Sequence, residues 1–123
     1  MSTPDKINIA DKLTQFEETW SPKIIADLDN YHVKLVKIEG DFVWHSHDGE
    51  DEMFFVVDGH MDMDFKDRRV TLGPGELIVV PKGIEHKPHA AAPCSIMLLE
   101  RAGVVNTGNA PEGALTAGTG ERL

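Results

Sequence analysis

The sequence predicts an all-β protein: an antiparallel sandwich or barrel of short strands, preceded by one short N-terminal helix. Two observations predict it. About eight to ten short apolar or alternating stretches follow one another along the chain. Most of them are separated by turn chemistry, such as Asp48-Gly49, Asp58-Gly59, "GPGE" and "PKG". No repeat of solenoid length interrupts this series.

Residues 9–18 have the spacing of one helix. Asp11 is suited to cap it, Leu13, Phe16 and Trp20 share a face, and Pro22 ends it. "KIIADL" is then a short apolar strand, and "YHVKLVKIEG" alternates in part and stops at Gly40. "FVWHSH" leads into the Asp48-Gly49 step, which predicts a hairpin to "EMFFVV". "MDMDF" alternates cleanly, so Asp62 and Asp64 are expected to face water. "RRVTL", "ELIVV", "EHKPHA" and "SIMLLE" complete the series. The tail from residue 102 carries five glycines and few large apolar groups. It is expected to run over the surface or to be partly disordered. The expected organisation is a helix and arm over 1–30 packing on a barrel of 31–101, then a Gly-rich tail of 102–123.

Bulk properties exclude several function classes. The 123 residues suit one domain. A formal net charge of -9 argues against nucleic acid or an anionic membrane as partner, since either requires a basic face. Cys94 is the single cysteine, so an intrachain disulfide is excluded, and "AAPCSIM" offers the thiol no neighbouring base. "MSTPDKINIADK" has no apolar stretch of the secretory kind, and no apolar run approaches about 20 residues. The expected location is the cytoplasm. "FVW" and "FFVV" are apolar on both faces, so one outer sheet face should be covered by the N-terminal segment or a second subunit. A homodimer is expected.

"HSHDGEDE", residues 45–52, admits two readings: a solvated acidic turn, or half of a metal site. In a strand, His45 and His47 project from the same face. A hairpin at 48–51 would then bring Glu52 beside them. Two histidines and a carboxylate form a triad suited to a first-row divalent metal. Asp48, Glu50 and Asp51 are read as a solvated tip rather than a calcium loop, because calcium seeks about six to eight oxygens. His32, His60 and His89 lack this grouping and are read as surface or ordinary strand residues.

These residues resemble a known family. Gly40, "HSH" at 45–47, Glu52 and Gly59 are similar to the first cupin motif, with one residue fewer than usual between Gly40 and His45. Gly75, Pro81, Gly83 and His86 are similar to the second motif, with Ala90 where Asn is usual. The resemblance implies a small antiparallel, jelly-roll-like cupin β-barrel, commonly dimeric. It also implies a single divalent metal held by His45, His47, Glu52 and His86. The metal would be Fe, Mn, Ni, Zn, Co or Cu, which this donor set does not distinguish.

The expected function is that of a metal-binding cupin acting on a small molecule, as an isomerase, a lyase or an oxygenase. The alternative is a binding module without turnover. A phosphosugar isomerase would need a cation for the phosphate, for which Lys34, Lys82 and Lys87 are the candidates. No second carboxylate or histidine stands out in the sequence as aimed at the pocket.

Overall fold

A computed structural model of the chain describes residues 2–123. One helix, α1 (Ile9–Leu13), precedes eight strands. These are β1 (Lys23–Leu28), β2 (Tyr31–Asp41), β3 (Glu52–Asp58), β4 (Met61–Phe65), β5 (Arg69–Leu72), β6 (Leu77–Val80), β7 (His86–Arg101) and β8 (Glu121–Arg122). The sheet runs β5-β4-β7-β2-β1-β8, with β3 paired to β7 and β6, and its hydrogen bonding does not close on itself. All pairs are antiparallel except the short β1–β8 contact.

The spine of the fold is β7. Its first half pairs with β4, with His86 opposite Phe65 and His89 opposite Asp62. Its second half pairs with β3, while β2 follows it from Arg101 back to His89. "EHKPHA" and "SIMLLE" are therefore parts of a single strand rather than two. Pro93, which has no N–H to give to a ladder, lies between them. Both ladders shift register here, between Ile38 and Gly40 of β2 and between Val56 and Asp58 of β3. Pro93 falls in the gap, where no ladder donor is required.

Three further expectations are corrected. The helix is only Ile9–Leu13, and its cap is Asn8, whose side chain accepts from the Asp11 N–H at 3.0 Å. Phe16 and Trp20 are buried, but from an irregular arm rather than a shared helix face. Residues 42–47 form no regular strand and make no hairpin ladder with β3. His45 instead forms an isolated bridge with His86.

Alternation explains the core. Phe54 and Val56 of β3, Ile96 and Leu98 of β7, and Met61 and Met63 of β4 point inward and are buried. Each such side chain contributes about 1.5–3 kcal/mol by leaving water. On the outer face of the same sheet, Met53, Phe55, Met97 and Leu99 are half-buried, and Leu77 and Val79 of β6 are exposed. The N-terminal arm covers a different part of that side, where Lys37 Nζ donates to the Phe16 carbonyl at 2.6 Å.

Candidate metal centre

The HxH segment is held from two sides. The His45 N–H donates to the His86 carbonyl at 3.0 Å, and the His86 N–H returns a bond of 2.9 Å. The Gly83 N–H donates to the His47 carbonyl at 2.9 Å. From the other side, the C-terminal segment grips Ser46: its N–H donates to Asn109 Oδ1 at 2.7 Å, and the Asn109 N–H donates to its carbonyl at 3.0 Å. Between these bonds lies Gly108, with φ +54°. A Cβ there would overlap the Ser46 carbonyl oxygen and crowd both histidine rings at 3.1 Å. Only glycine lets the tail approach this closely. The tail does run over the surface, but it also builds the site.

Glu52 arrives by another route than the expected hairpin. It opens β3, pairs with Val80 of β6 across the ladder, and is followed to His86 through the Pro81-Gly83 turn. The result is a buried group of His45, His47, Glu52 and His86 whose donor atoms all lie within 4.8 Å of one another. These four could hold a metal ion. His45 Nδ1 lies 2.9 Å from the Val43 carbonyl, and His86 Nδ1 lies 2.9 Å from the Ile84 carbonyl. Each contact favours the proton on Nδ1 and leaves Nε2 as a free lone pair.

The electrostatics agree with that reading. His47 Nε2 stands 3.3 Å from Glu52 Oε1, and His86 Nε2 3.7 Å from the same oxygen. None of these three buried atoms has a hydrogen-bond partner among the described residues. Leaving such atoms unpaired costs about 1–3 kcal/mol each, and a cation bound between them would remove that cost. Burial, reinforced by His86, pulls His45 down to about 4. Burial also opposes charge on His47, but the Glu52 carboxylate prevails and raises its pKa. Burial pushes Glu52 up, yet the Glu100 carboxyl and the nearby His47 and His86 rings outweigh it and hold Glu52 well below the usual carboxylate range.

Glu100 is the residue that sequence reasoning missed. It lies directly opposite Glu52 in the β3–β7 ladder and is fully buried. Burial and the Glu52 carboxylate push its pKa well up. Two carboxyl groups this close share a site in which one keeps its proton. Lys34 Nζ meets Glu100 Oε1 at 2.8 Å and also donates to the Thr119 carbonyl at 2.9 Å. The signal was present in "SIMLLE": Ile96, Leu98 and Glu100 share one face at period two, and the first two are core residues.

The remaining candidates lie elsewhere. Lys87 is paired with Asp41 at 2.9 Å, and Lys82 is exposed. With Lys34 committed to Glu100, no lysine or arginine among the described residues lines the cavity beside His45 and Glu52. His89 bonds Asp41, His32 lies 3.3 Å from Asp27, and His60 is exposed. Asp48 and Asp51 are exposed, as expected for a turn tip. Burial pushes the Cys94 thiol up to about 11, which makes it unreactive. Among the described residues, no helix is long and apolar enough to cross a membrane.

Comparison with known proteins agrees with this geometry. Residues 32–100 match the family model described as cupin domain. The chain is 48% identical to a cupin-2 domain containing protein from Shewanella frigidimarina NCIMB 400, with a TM-score of 0.77 over 77% of this chain and 93% of that one. It is 37% identical to protein NMB1881 from Neisseria meningitidis, with a TM-score of 0.72 over 79% of this chain and 99% of that one. It is 33% identical over 64 residues to the uncharacterized protein YdbB of Bacillus subtilis strain 168, which is 51% of this chain. The match spans only 57% of that relative's length.

Proposed function

The chain belongs to the cupin domain family, and from that premise we propose a metal-dependent protein that presents one divalent transition metal to a small molecule. His45, His47, Glu52 and His86 are the proposed ligands. The carrying observation is the convergence of four buried donors, three of whose inward atoms have no other partner. Iron, manganese, nickel, zinc, cobalt and copper all suit three histidines and a carboxylate. When bound, such an ion supplies Lewis-acid or redox chemistry at its open positions.

The chain's own residues divide the remaining work. His45 and His86 keep their Nε2 lone pairs turned inward through the contacts at Nδ1. Glu52 brings negative charge, and Glu100 holds a proton beside it. Glu100 is thereby the second carboxyl group that acid–base chemistry at this site would need. We favour an enzyme of the isomerase, lyase or oxygenase type, with a non-catalytic binding module as the second reading. The phosphosugar version is weakened by the missing cation in the cavity wall.

The proposal includes a homodimer formed through the outer apolar stripe of Met53, Phe55, Leu77 and Val79. It also places the protein in the cytoplasm, where the free Cys94 thiol stays reduced. Elemental analysis of protein purified without a metal-affinity tag tests the metal. One equivalent is expected in the wild type, and loss of it in His86→Ala with the circular dichroism spectrum preserved. Stoichiometric metal retained in that variant would overturn the ligand set.

A further inference from the structure

The three histidines of the four-residue group are not held alike. His45 Nδ1 lies 2.9 Å from the Val43 carbonyl and His86 Nδ1 lies 2.9 Å from the Ile84 carbonyl, each acceptor two residues back along the chain. His47 has no such bond among the described residues. Its Nδ1 faces the Glu50 carboxylate, with Oε1 4.0 Å away, which is too long for a hydrogen bond. Yet His47 is only 5% exposed. A ligating histidine ordinarily has its second ring nitrogen engaged. That bond decides which nitrogen carries the proton and turns the other toward the metal.

Glu50 departs from the solvated tip expected for residues 48–51. Asp48 and Asp51 are exposed, and each already accepts a hydrogen bond: from Ser46 Oγ at 3.2 Å and from the Lys82 N–H at 2.9 Å. The Glu50 side chain is half-buried and makes no hydrogen bond among the described residues. The turn that carries it is anchored at both ends, by the Gly83 N–H on the His47 carbonyl and by the Lys82 N–H on Asp51. Only the Glu50 side chain therefore has to move to meet the ring. His47 and Glu50 both line an open cleft of about 330 Å³, which leaves room for that motion. Closing by roughly 1 Å would give the length of a charge-assisted N–H···O bond.

We propose that Glu50 is the positioning residue of His47: its carboxylate accepts the Nδ1–H of that ring and so keeps Nε2 as the inward lone pair. This rests on the ligand set above and adds to it a residue outside that set. A cation at Nε2 makes Nδ1–H a stronger donor and draws the carboxylate in, so the contact tightens as metal binds. Glu50 then does for His47 what the two carbonyls do for His45 and His86.

Cobalt(II) is the probe, titrated against a chelating dye into the wild type, Glu50→Ala, Glu50→Gln and Asp48→Ala. Circular dichroism confirms that each variant is folded. Glu50→Ala is expected to bind cobalt about 10–100-fold more weakly. Glu50→Gln, whose amide oxygen still accepts, should recover most of that loss. Asp48→Ala removes the same charge from the same cleft and should bind as the wild type does. Proton NMR of the cobalt-loaded proteins in water gives a second readout, because the ion shifts the imidazole N–H signals of its ligands clear of the rest. Three exchangeable signals are expected in the wild type and two in Glu50→Ala, where the His47 proton is lost to exchange with water. Unchanged affinity or a retained third signal in Glu50→Ala overturns the proposal while leaving the ligand set standing. So does an equal loss in Asp48→Ala, which would reduce the effect to general charge, or a wild type with only two signals. A wild type that takes up no cobalt sinks the metal reading and this inference with it.

Discussion

Lys34 and Glu100 meet at 2.8 Å inside the barrel, each only 1% exposed, and Glu100 in turn faces Glu52. A buried lysine is tolerated there only because its partners supply the hydrogen bonds that water would otherwise give. Lys34→Ala therefore costs about 1–3 kcal/mol, because removing one partner leaves a buried polar group unpaired. Replacing the pair together, as Lys34→Met with Glu100→Leu, costs much less than Lys34→Ala alone. Urea denaturation of the single and double variants measures both. Equal losses would mean that the contact is not coupled energetically.

Gly108 is expected to be the least replaceable glycine of the tail. A methyl group there strikes the Ser46 carbonyl between His45 and His47 and must also adopt a positive φ. Gly108→Ala should cost at least about 1–3 kcal/mol and weaken metal retention, because the segment carrying two proposed ligands has to move. Gly113→Ala, whose added Cβ would meet only a carbonyl at 4.0 Å, serves as the control and should do neither. Urea midpoints and metal content after dialysis distinguish the two.

The histidines make stability and metal binding respond to pH in different ways. The folded pKa of His45 is about 4, below its ordinary 6.5. The unfolded chain therefore binds a proton at this position before the folded chain does. Its contribution to stability is full above 6.5 and is lost as pH falls from 6.5 toward 4. His47 is shifted upward, so in the metal-free protein its contribution is full below 6.5 and fades as pH rises through the folded value. Metal must displace that proton. Affinity should rise with pH through this range with release of about one proton, read by calorimetry in buffers of different ionisation enthalpy. A pH-independent affinity would contradict the role given to His47.

The outer stripe leads to a prediction about assembly. Leu77 and Val79 are 55% and 51% exposed beside the half-buried Met53 and Phe55. Apolar surface of this extent is usually covered in solution. Leu77→Asp should leave the monomer fold intact, since the side chain has little to lose, while shifting a dimer to monomer by light scattering. A wild type that is monomeric at micromolar concentration would remove the dimer from the proposal.

Legibility in the sequence followed the range of the interaction. "MDMDF" is recognisable because Met61 and Met63 face the core while Asp62 and Asp64 face Thr71 and Arg69, a pattern contained in five residues. The extent of β7 was not legible, because Pro93 breaks a strand only if its missing N–H is needed, and that depends on the register of β2 and β3. Glu100 was overlooked for a related reason. Its parity placed it inside, but its partners Lys34 and Glu52 come from other strands.

What the sequence determined by itself was the β class, most of the turns and, through two spaced motifs, the four residues that converge. Those are matters of local pattern: side-chain period, glycines with positive φ, and donor types at fixed intervals. Only the tertiary structure decided how they converge. Glu52 reaches the histidines through β6 and β7 rather than a hairpin. The tail becomes part of the site through Gly108 and Asn109. Each of these depends on contacts between residues far apart in the chain, whose free energies exist only once the strands have paired.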